Sequence, residues 1–115
     1  MNTAFKKMTD LQGSIKNVAD YRNQKMWTLC QEALATAESA EQTIAITALH
    51  KQIVNKALDW HFNEAKRASA KPDITEQDQG WMEEQVGIIN DLAKKAGIDV
   101  KARVEAMRKA ALKTK

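Results

Sequence analysis

The sequence contains few of the residues that interrupt or cross-link a chain: its 115 residues include one cysteine, one proline and four glycines. The lone Cys30 has no partner for a disulfide within the chain. So little proline and glycine leaves little material for long loops or linkers. Runs of β-branched residues are also nearly absent, whereas Ala, Lys, Glu, Gln, Met and Leu are abundant. Intrinsic propensity therefore favours helix throughout, and we predict an all-α protein.

Long apolar runs are lacking too. The longest uncharged stretch, QTIAITALH at residues 42–50, is far shorter than the ~20 apolar residues that a membrane-spanning helix needs. No charged and then apolar leader of the secretory type precedes it. We therefore predict a cytoplasmic protein without a transmembrane segment and without a membrane partner.

The charge is modest in total and uneven along the chain. The mass of 12.9 kDa and the 43% share of hydrophobic residues suit one helical domain over residues 1–115. The formal net charge is +3, but segments 1–37, 38–68, 69–98 and 99–115 carry +2, 0, −3 and +4. An acidic segment is thus followed directly by a basic one, and this asymmetry indicates where charged contacts form.

Apolar residues recur every three or four positions along the first part of the chain, which predicts a helical region over residues 3–37. Gly13 interrupts the pattern, so the region is either one helix or a short helix followed by a long one. Arg22 occupies a position on the apolar stripe. The buried face therefore either rotates toward Tyr21 and Met26 or ends before Arg22.

A second helix is predicted from Ser39 to about Ala68. Ser39 and Gln42 have the spacing of a capping box, and Pro72 ends the helical pattern because it has no backbone N–H to donate. The apolar face of this helix is wider than a surface helix requires, which makes it the expected central helix. Its members are Ile44, Ile46, Leu49, Ile53, Val54, Ala57, Leu58, Trp60, Phe62 and Ala65.

Two further helices follow. Asp73 or Thr75 is expected to cap the third, and Gly97 is placed to end it in a left-handed conformation. Gly87 lies in the middle, where it costs about 1 kcal/mol relative to Ala, and this predicts close approach of a neighbouring helix. Asp99 is expected to cap the fourth helix. The fold class is therefore a small bundle of about four helices, with an additional short N-terminal helix as a variant.

The sequence offers little catalytic chemistry. His50 and His61 are separated by about 16 Å along one helix, so one metal ion cannot bind both, and we interpret them as surface or boundary residues. Cys30 lies on an apolar stripe, where cysteine behaves as a small hydrophobe. Acids at the start of the third helix suit the helix dipole, and no glycine-rich phosphate loop is present. We predict no metal, no cofactor and no enzymatic activity.

Trp27, Trp60 and Trp81 each fall near the apolar side of a different helix, so the expected location of each is the core. Trp81 follows Gly80 among acidic neighbours, and these surroundings favour a place at the surface more than those of Trp27 and Trp60 do. An exposed tryptophan would be a natural anchor for a protein partner, since this residue is enriched among interface hot spots. Trp81 is therefore a candidate partner-binding residue.

The closing stretch, GIDVKARVEAMRKAALKTK, is basic and amphipathic. Its apolar residues Val100, Val104, Met107 and Ala111 have helical spacing, which predicts a packed helix whose bases approach the acids at the start of the third helix. The alternative is a free arm that becomes ordered on a partner. The candidate partner-binding bases are Lys101, Arg103, Arg108, Lys109, Lys113 and Lys115.

The functional hypothesis is a non-enzymatic helical protein that binds another protein or its own copies, as a regulatory subunit, adaptor, inhibitor or self-assembling component. No small-molecule substrate is expected. The alternative is nucleic-acid binding through the basic C-terminal helix together with Lys6, Lys7 and Lys16. No helix–turn–helix signature supports this alternative, and the six acids of residues 69–98 would repel phosphate.

Overall fold

The computed structural model describes residues 2–112, and side chains are described for residues 2–110. Every regular element in residues 2–112 is helical, which confirms the all-α prediction, but the number of helices exceeds four. Besides a 3-10 helix at Gln12–Ser14, there are six α-helices: α1 Thr3–Leu11, α2 Val18–Asn23, α3 Met26–Ala35, α4 Ala40–Ser69, α5 Glu76–Ala96 and α6 Lys101–Leu112.

The N-terminal region is divided more finely than predicted: neither one helix nor two, but α1, α2 and α3. The 3-10 helix contains Gly13, where the sequence pattern is interrupted. Asn17 starts α2, since its side-chain oxygen accepts a hydrogen bond of 3.0 Å from the Asp20 N–H. Lys25 has a φ of 53° and separates α2 from α3. The buried face does rotate as one alternative proposed, because Tyr21 and Met26 are both buried.

The chain divides into two compact units, Met1–Ala57 and Leu58–Lys115, and α4 contributes a part to each. We call them unit 1 and unit 2. The prediction of one helical domain over residues 1–115 stays a prediction. Buried apolar residues of unit 1 include Met8, Ile15, Met26, Ile46 and Ile53, and those of unit 2 include Leu58, Met82, Val86, Ile89 and Leu92.

In unit 1, the start of the chain is tied to later helices through Asn2, which is buried. Its side-chain oxygen caps α1 by accepting a hydrogen bond of 3.1 Å from the Phe5 N–H. Its amide nitrogen donates to the carbonyl oxygen of Ala33 at 2.9 Å and to Oε1 of Gln42 at 3.0 Å. One side chain therefore links the first residues of the chain to α3 and α4.

The start of α4 carries half of the predicted capping box. The Gln42 N–H donates to Oγ of Ser39 at 3.0 Å, as expected. Oε1 of Gln42 accepts from the Glu38 N–H at 2.9 Å, and not from the N–H of Ser39.

The apolar face predicted for α4 was too wide, because the side chains of Ile44 and Trp60 are exposed by 69% and 40%.

In unit 2, α5 begins and ends at residues with clear chemical signals. Thr75, one of the two expected caps, forms a full capping box with Asp78. The Thr75 N–H donates to the Asp78 carboxylate, which lowers the pKa of that carboxyl, and Lys71 lowers it further. Gly97 ends α5 with a φ of 66°, and the Ile98 N–H then donates to the Ala93 carbonyl at 2.9 Å.

The prediction of close packing at Gly87, in the middle of α5, is wrong, because a Cβ added there would meet nothing within 4 Å.

Within residues 2–112, no helix combines the length and the apolar character that crossing a bilayer requires.

Candidate functional site

In the described part of the basic C-terminal stretch, Lys101–Leu112 forms a packed helix, as predicted. Val100, Val104 and Met107 are buried, and α6 packs against α5. Asp99 starts the helix, because its Oδ1 accepts a hydrogen bond of 3.0 Å from the Lys101 N–H. The side chain of Ala111, the fourth residue of the predicted stripe, lies outside the described residues. The described bases of α6 are therefore held on a fixed surface of unit 2.

Arg103 is held by two contacts that come from α4. Its NH2 group donates to Oδ1 of Asp59 at 2.9 Å, and its guanidinium carbon lies 4.0 Å from the centre of the Phe62 ring. The second contact is a cation–π arrangement, which suits the flat guanidinium. The sequence did not indicate either partner, because Asp59 and Phe62 precede Arg103 by more than forty residues.

Arg108 forms a paired contact with α5. Its Nε and NH2 donate to the two carboxylate oxygens of Glu83 at 3.2 and 3.1 Å. This bidentate geometry is the strongest that arginine makes with a carboxylate. The predicted approach of the α6 bases to the acids of α5 is thus confirmed for this pair. Both side chains stay more than half exposed, so water and salt screen their attraction.

The four remaining candidate bases are all lysines. Lys101 and Lys109 are exposed, and neither forms an ion pair with another residue in the described part of the chain. Lys113 and Lys115 lie outside the described residues. The described basic surface of α6 therefore consists of two arginines that are paired with acids and two lysines that face solvent.

Trp81 lines an open cleft of about 660 Å³ in unit 2, which we call the Trp81 cleft. The cleft is formed by the end of α4, the connection to α5 and the first turns of α5. The side chain of Trp81 is neither fully buried nor fully exposed. The residues that line the cleft are Glu64, Arg67, Ala68, Lys71, Gln77, Asp78 and Trp81.

The charged residues of the Trp81 cleft pair with one another at its rim. Arg67 contacts Glu64 at 3.3 Å, and Lys71 contacts Asp78 at 3.1 Å. The sequence singled out Trp81 but missed the charged set. The available signal was the position of these residues on both sides of Pro72, where two successive helices meet through a short connection.

The two other tryptophans contradict the expectation that they belong to the core. Trp27 and Trp60 are exposed by 38% and 40%. Each has a buried histidine beside it: the ring centres of Trp27 and His50 are 5.7 Å apart, and those of Trp60 and His61 are 4.8 Å apart. Each tryptophan therefore contacts a histidine with one part of its ring and meets solvent with another.

The interpretation of the two histidines as surface or boundary residues is wrong, since both are buried. In unit 1, Nε2 of His50 shares a hydrogen bond of 2.7 Å with the hydroxyl of Tyr21. Burial lowers the pKa of His50, because the charged ring would lose its hydration. In unit 2, Nδ1 of His61 lies 2.7 Å from Oε1 of Gln85.

The lone cysteine is buried, as its place on the apolar stripe predicted. Burial raises the pKa of the Cys30 thiol, which disfavours the nucleophilic thiolate. Among the residues that the structure describes, no group of three or more His, Cys, Asp or Glu side chains is arranged to hold a metal ion.

Comparison with known proteins gives no relative: no protein-family model, no curated protein and no solved structure matches this chain.

Proposed function

We propose that the chain is a non-enzymatic binding protein that acts through contact with another protein, as a regulatory subunit, adaptor, inhibitor or self-assembling component. A cytoplasmic location belongs to the same proposal. The observation that carries it is the Trp81 cleft, where a partly exposed tryptophan lies among four charged side chains.

The composition of the cleft supports this proposal. A tryptophan that keeps part of its surface in water gains stabilisation when a partner covers that surface, and tryptophan and arginine dominate interface hot spots. Arg67 pairs with Glu64 and Lys71 with Asp78, and in each pair the base is exposed while the carboxylate is partly buried. Pairs with an exposed member contribute only about 0–1 kcal/mol, so Arg67 and Lys71 can turn to contacts with a partner at little cost.

The nucleic-acid alternative is less favoured by the surroundings of α6. Arg103 and Arg108, two of its bases, already contact the carboxylates of Asp59 and Glu83. A phosphate would have to compete with these carboxylates. If α6 did bind duplex DNA through several phosphates, affinity would fall steeply with salt, with a logarithmic slope of about −0.9 per phosphate.

Photocrosslinking from position 81 tests the proposal. Trp81→benzoylphenylalanine is expressed in the cells from which the sequence comes, and the same photoreactive residue at the exposed Gln31 is the control. We expect one dominant protein adduct from position 81, which excess wild-type chain suppresses and a Trp81→Ala chain does not.

Two results would overturn the proposal. The first is a set of adducts at position 81 that matches the set at position 31. The second is crosslinking to DNA or RNA together with the salt slope given above, which would establish the alternative function.

A further inference from the structure

A second concave surface in unit 2 is chemically different from the Trp81 cleft. It is an apolar groove of about 330 Å³ that lies between the C-terminal part of α4 and α6, and we call it the α4–α6 groove. The residues that line it are Phe62, Lys66, Ser69, Arg103, Ala106, Met107 and Ala110.

The apolar part of the groove is preformed. Phe62 and Met107 are almost completely buried and form part of the packed interior of unit 2. Ala106, in contrast, is exposed, so the groove is shallow on the α6 side. The hydroxyl of Ser69 already donates to the Ala65 carbonyl at 2.9 Å, which leaves that donor engaged. The groove therefore offers apolar contact and little neutral hydrogen bonding.

The charges that line the groove have one sign. Among the described residues that line it, Lys66 and Arg103 are the charged ones, and none is a carboxylate. Lys66 is exposed and forms no ion pair with any residue in the described range. Arg103 uses NH2 toward Asp59, yet a guanidinium has five N–H donors in all. Lys66 thus offers an exposed ammonium to a partner's carboxylate, whereas Arg103 would have to share its guanidinium with Asp59.

We infer that the α4–α6 groove binds an acidic amphipathic helix of a partner protein, with a large apolar side chain in the groove and an Asp or Glu one turn away. Helix-in-groove recognition uses anchors spaced by three or four residues. A carboxylate at that spacing would meet Lys66 on the α4 wall of the groove. The inference rests on the proposed function, because it specifies the chemistry of a protein partner.

The size and openness of the groove favour a peptide over a small ligand. Sites for small molecules have volumes of about 300–1,000 Å³ and enclose most of the ligand. This groove is at the lower limit of that range, and the exposed Ala106 leaves its α6 side open to solvent. It can cover one or two side chains, while the rest of a helix lies along its rim.

A defined peptide library tests the inference with the full chain as bait. An mRNA-displayed library of randomised helical peptides is selected on the wild-type protein, and the dissociation constants of the selected peptides are then measured on variants. We expect these peptides to carry Asp or Glu three or four positions from Leu, Phe or Met. Ala106→Trp should fill the groove and weaken binding by about tenfold or more, as loss of a buried anchor does.

Two variants of α6, Ala102→Trp and Lys109→Glu, are controls, and Lys66→Glu in α4 is a second test of the groove. Ala102→Trp adds the same side chain one turn earlier, outside the groove, and should change affinity by less than about twofold. Lys66→Glu replaces an exposed base and keeps the apolar lining, so it tests the charge preference even if Ala106→Trp disturbs folding. It should weaken acidic peptides by about tenfold, whereas Lys109→Glu should leave them nearly unchanged.

Several outcomes overturn the inference. Selected peptides without the acidic and apolar pattern would remove the groove as a peptide site. So would peptides that bind the Ala106→Trp and Lys66→Glu variants as tightly as they bind the wild-type protein. Binding of sodium dodecanoate that Ala106→Trp abolishes, with no peptide selected, would assign the groove to an amphiphile.

The two proposals can fail separately. Peptides that lose affinity only in a Trp81→Ala variant would remove the groove and keep the Trp81 cleft as the docking site. If groove-dependent peptides are selected while position 81 yields no specific protein adduct, the groove stands and the assignment of the cleft falls.

Discussion

The two units differ in the balance between buried and exposed polar contacts. In unit 1, short helices are linked by buried polar side chains, of which Asn2 and the pair Tyr21–His50 are the clearest examples. Unit 2 also has a buried pair, His61–Gln85, but its longer helices carry exposed ion pairs such as Arg103–Asp59 and Arg108–Glu83. The sequence shows the same imbalance, because residues 58–115 hold 21 charged side chains and residues 1–57 hold 12.

This difference suggests a division of roles. A buried hydrogen bond is costly to break, since the groups left behind lose their solvation without compensation. Exposed ion pairs rearrange with little change in free energy. Unit 1 is therefore expected to resist change in its polar contacts, whereas the surface of unit 2 can adapt to a partner. Both proposed docking sites, the Trp81 cleft and the α4–α6 groove, belong to unit 2.

The largest predicted effect concerns the packing of α6. Val104→Asp would place a charge at a buried position of unit 2 and should lower the free energy of unfolding by more than about 2 kcal/mol. The exposed Ala102 supplies the control, because Ala102→Asp should change stability by less than about 0.5 kcal/mol. Urea denaturation measures both. An unchanged midpoint for Val104→Asp, with rapid hydrogen exchange through residues 100–112, would mean that α6 is a free arm.

The buried pair of unit 1 gives the next effect. Tyr21→Phe removes the hydroxyl that lies 2.7 Å from Nε2 of His50, and should destabilise the protein by about 1–3 kcal/mol because a buried polar group loses its hydrogen bond. The effect should persist in high salt, since the pair is buried and uncharged. A midpoint within error of wild type in urea denaturation would contradict the structural role given to this contact.

The same histidine predicts a pH dependence. Burial lowers the pKa of His50 below its usual value of 6.5, so the unfolded chain binds more protons than the folded chain in the pH range just below 6.5. The stabilisation from neutral His50 is complete above that value and is lost as the pH falls. The slope is at most about 1.4 kcal/mol per pH unit. Urea midpoints measured from pH 7.5 to 5 should show a shallower slope in His50→Gln, and an equal slope would refute the assignment.

Substitutions at two glycines of unit 2 should have smaller effects on stability, and these effects should have opposite signs. Gly87→Ala should stabilise the protein by about 0.4–1 kcal/mol, because the position is helical and a Cβ there meets no neighbour within 4 Å. Gly97→Ala should destabilise it, since the φ of 66° is strained for alanine. Thermal unfolding distinguishes the two. A destabilising Gly87→Ala would restore the original prediction of close packing at that site.

The accuracy of the predicted helix bounds differed between the short N-terminal helices and the longer helices that follow them. The bounds of α4 and α5 were close, because Ser39, Pro72, Thr75 and Gly97 are strong local signals. In unit 1 the chain turns at Lys25, which adopts a left-handed conformation without being glycine. No local preference of lysine indicates such a turn, so the separation of α2 from α3 could not be read from the pattern.

The candidate site was predictable in some of its residues, but not in the charged residues around Trp81 and not in its contacts. The bases of α6 and Trp81 were visible in composition and position. Whether a neighbouring element covers a side chain is a tertiary property, and for this reason Trp27 and Trp60 were assigned to the core in error. The partners of Arg103 and the walls of the α4–α6 groove combine residues from distant parts of the sequence, which periodicity does not reveal.

The smallest predicted effect is the coupling between Arg108 and Glu83. A double-mutant cycle with Arg108→Gln and Glu83→Gln should give a coupling free energy of about 0.2–1 kcal/mol at low salt, because both side chains are exposed. High salt should reduce it, whereas it should leave the cost of Tyr21→Phe unchanged. A coupling well above 1 kcal/mol that salt does not reduce would show that this pair fixes the surface of unit 2 as firmly as Tyr21 and His50 fix unit 1. In that case the exposed charges would be structural, and the adaptable surface inferred for unit 2 would have to be limited to Lys66, Lys101 and Lys109.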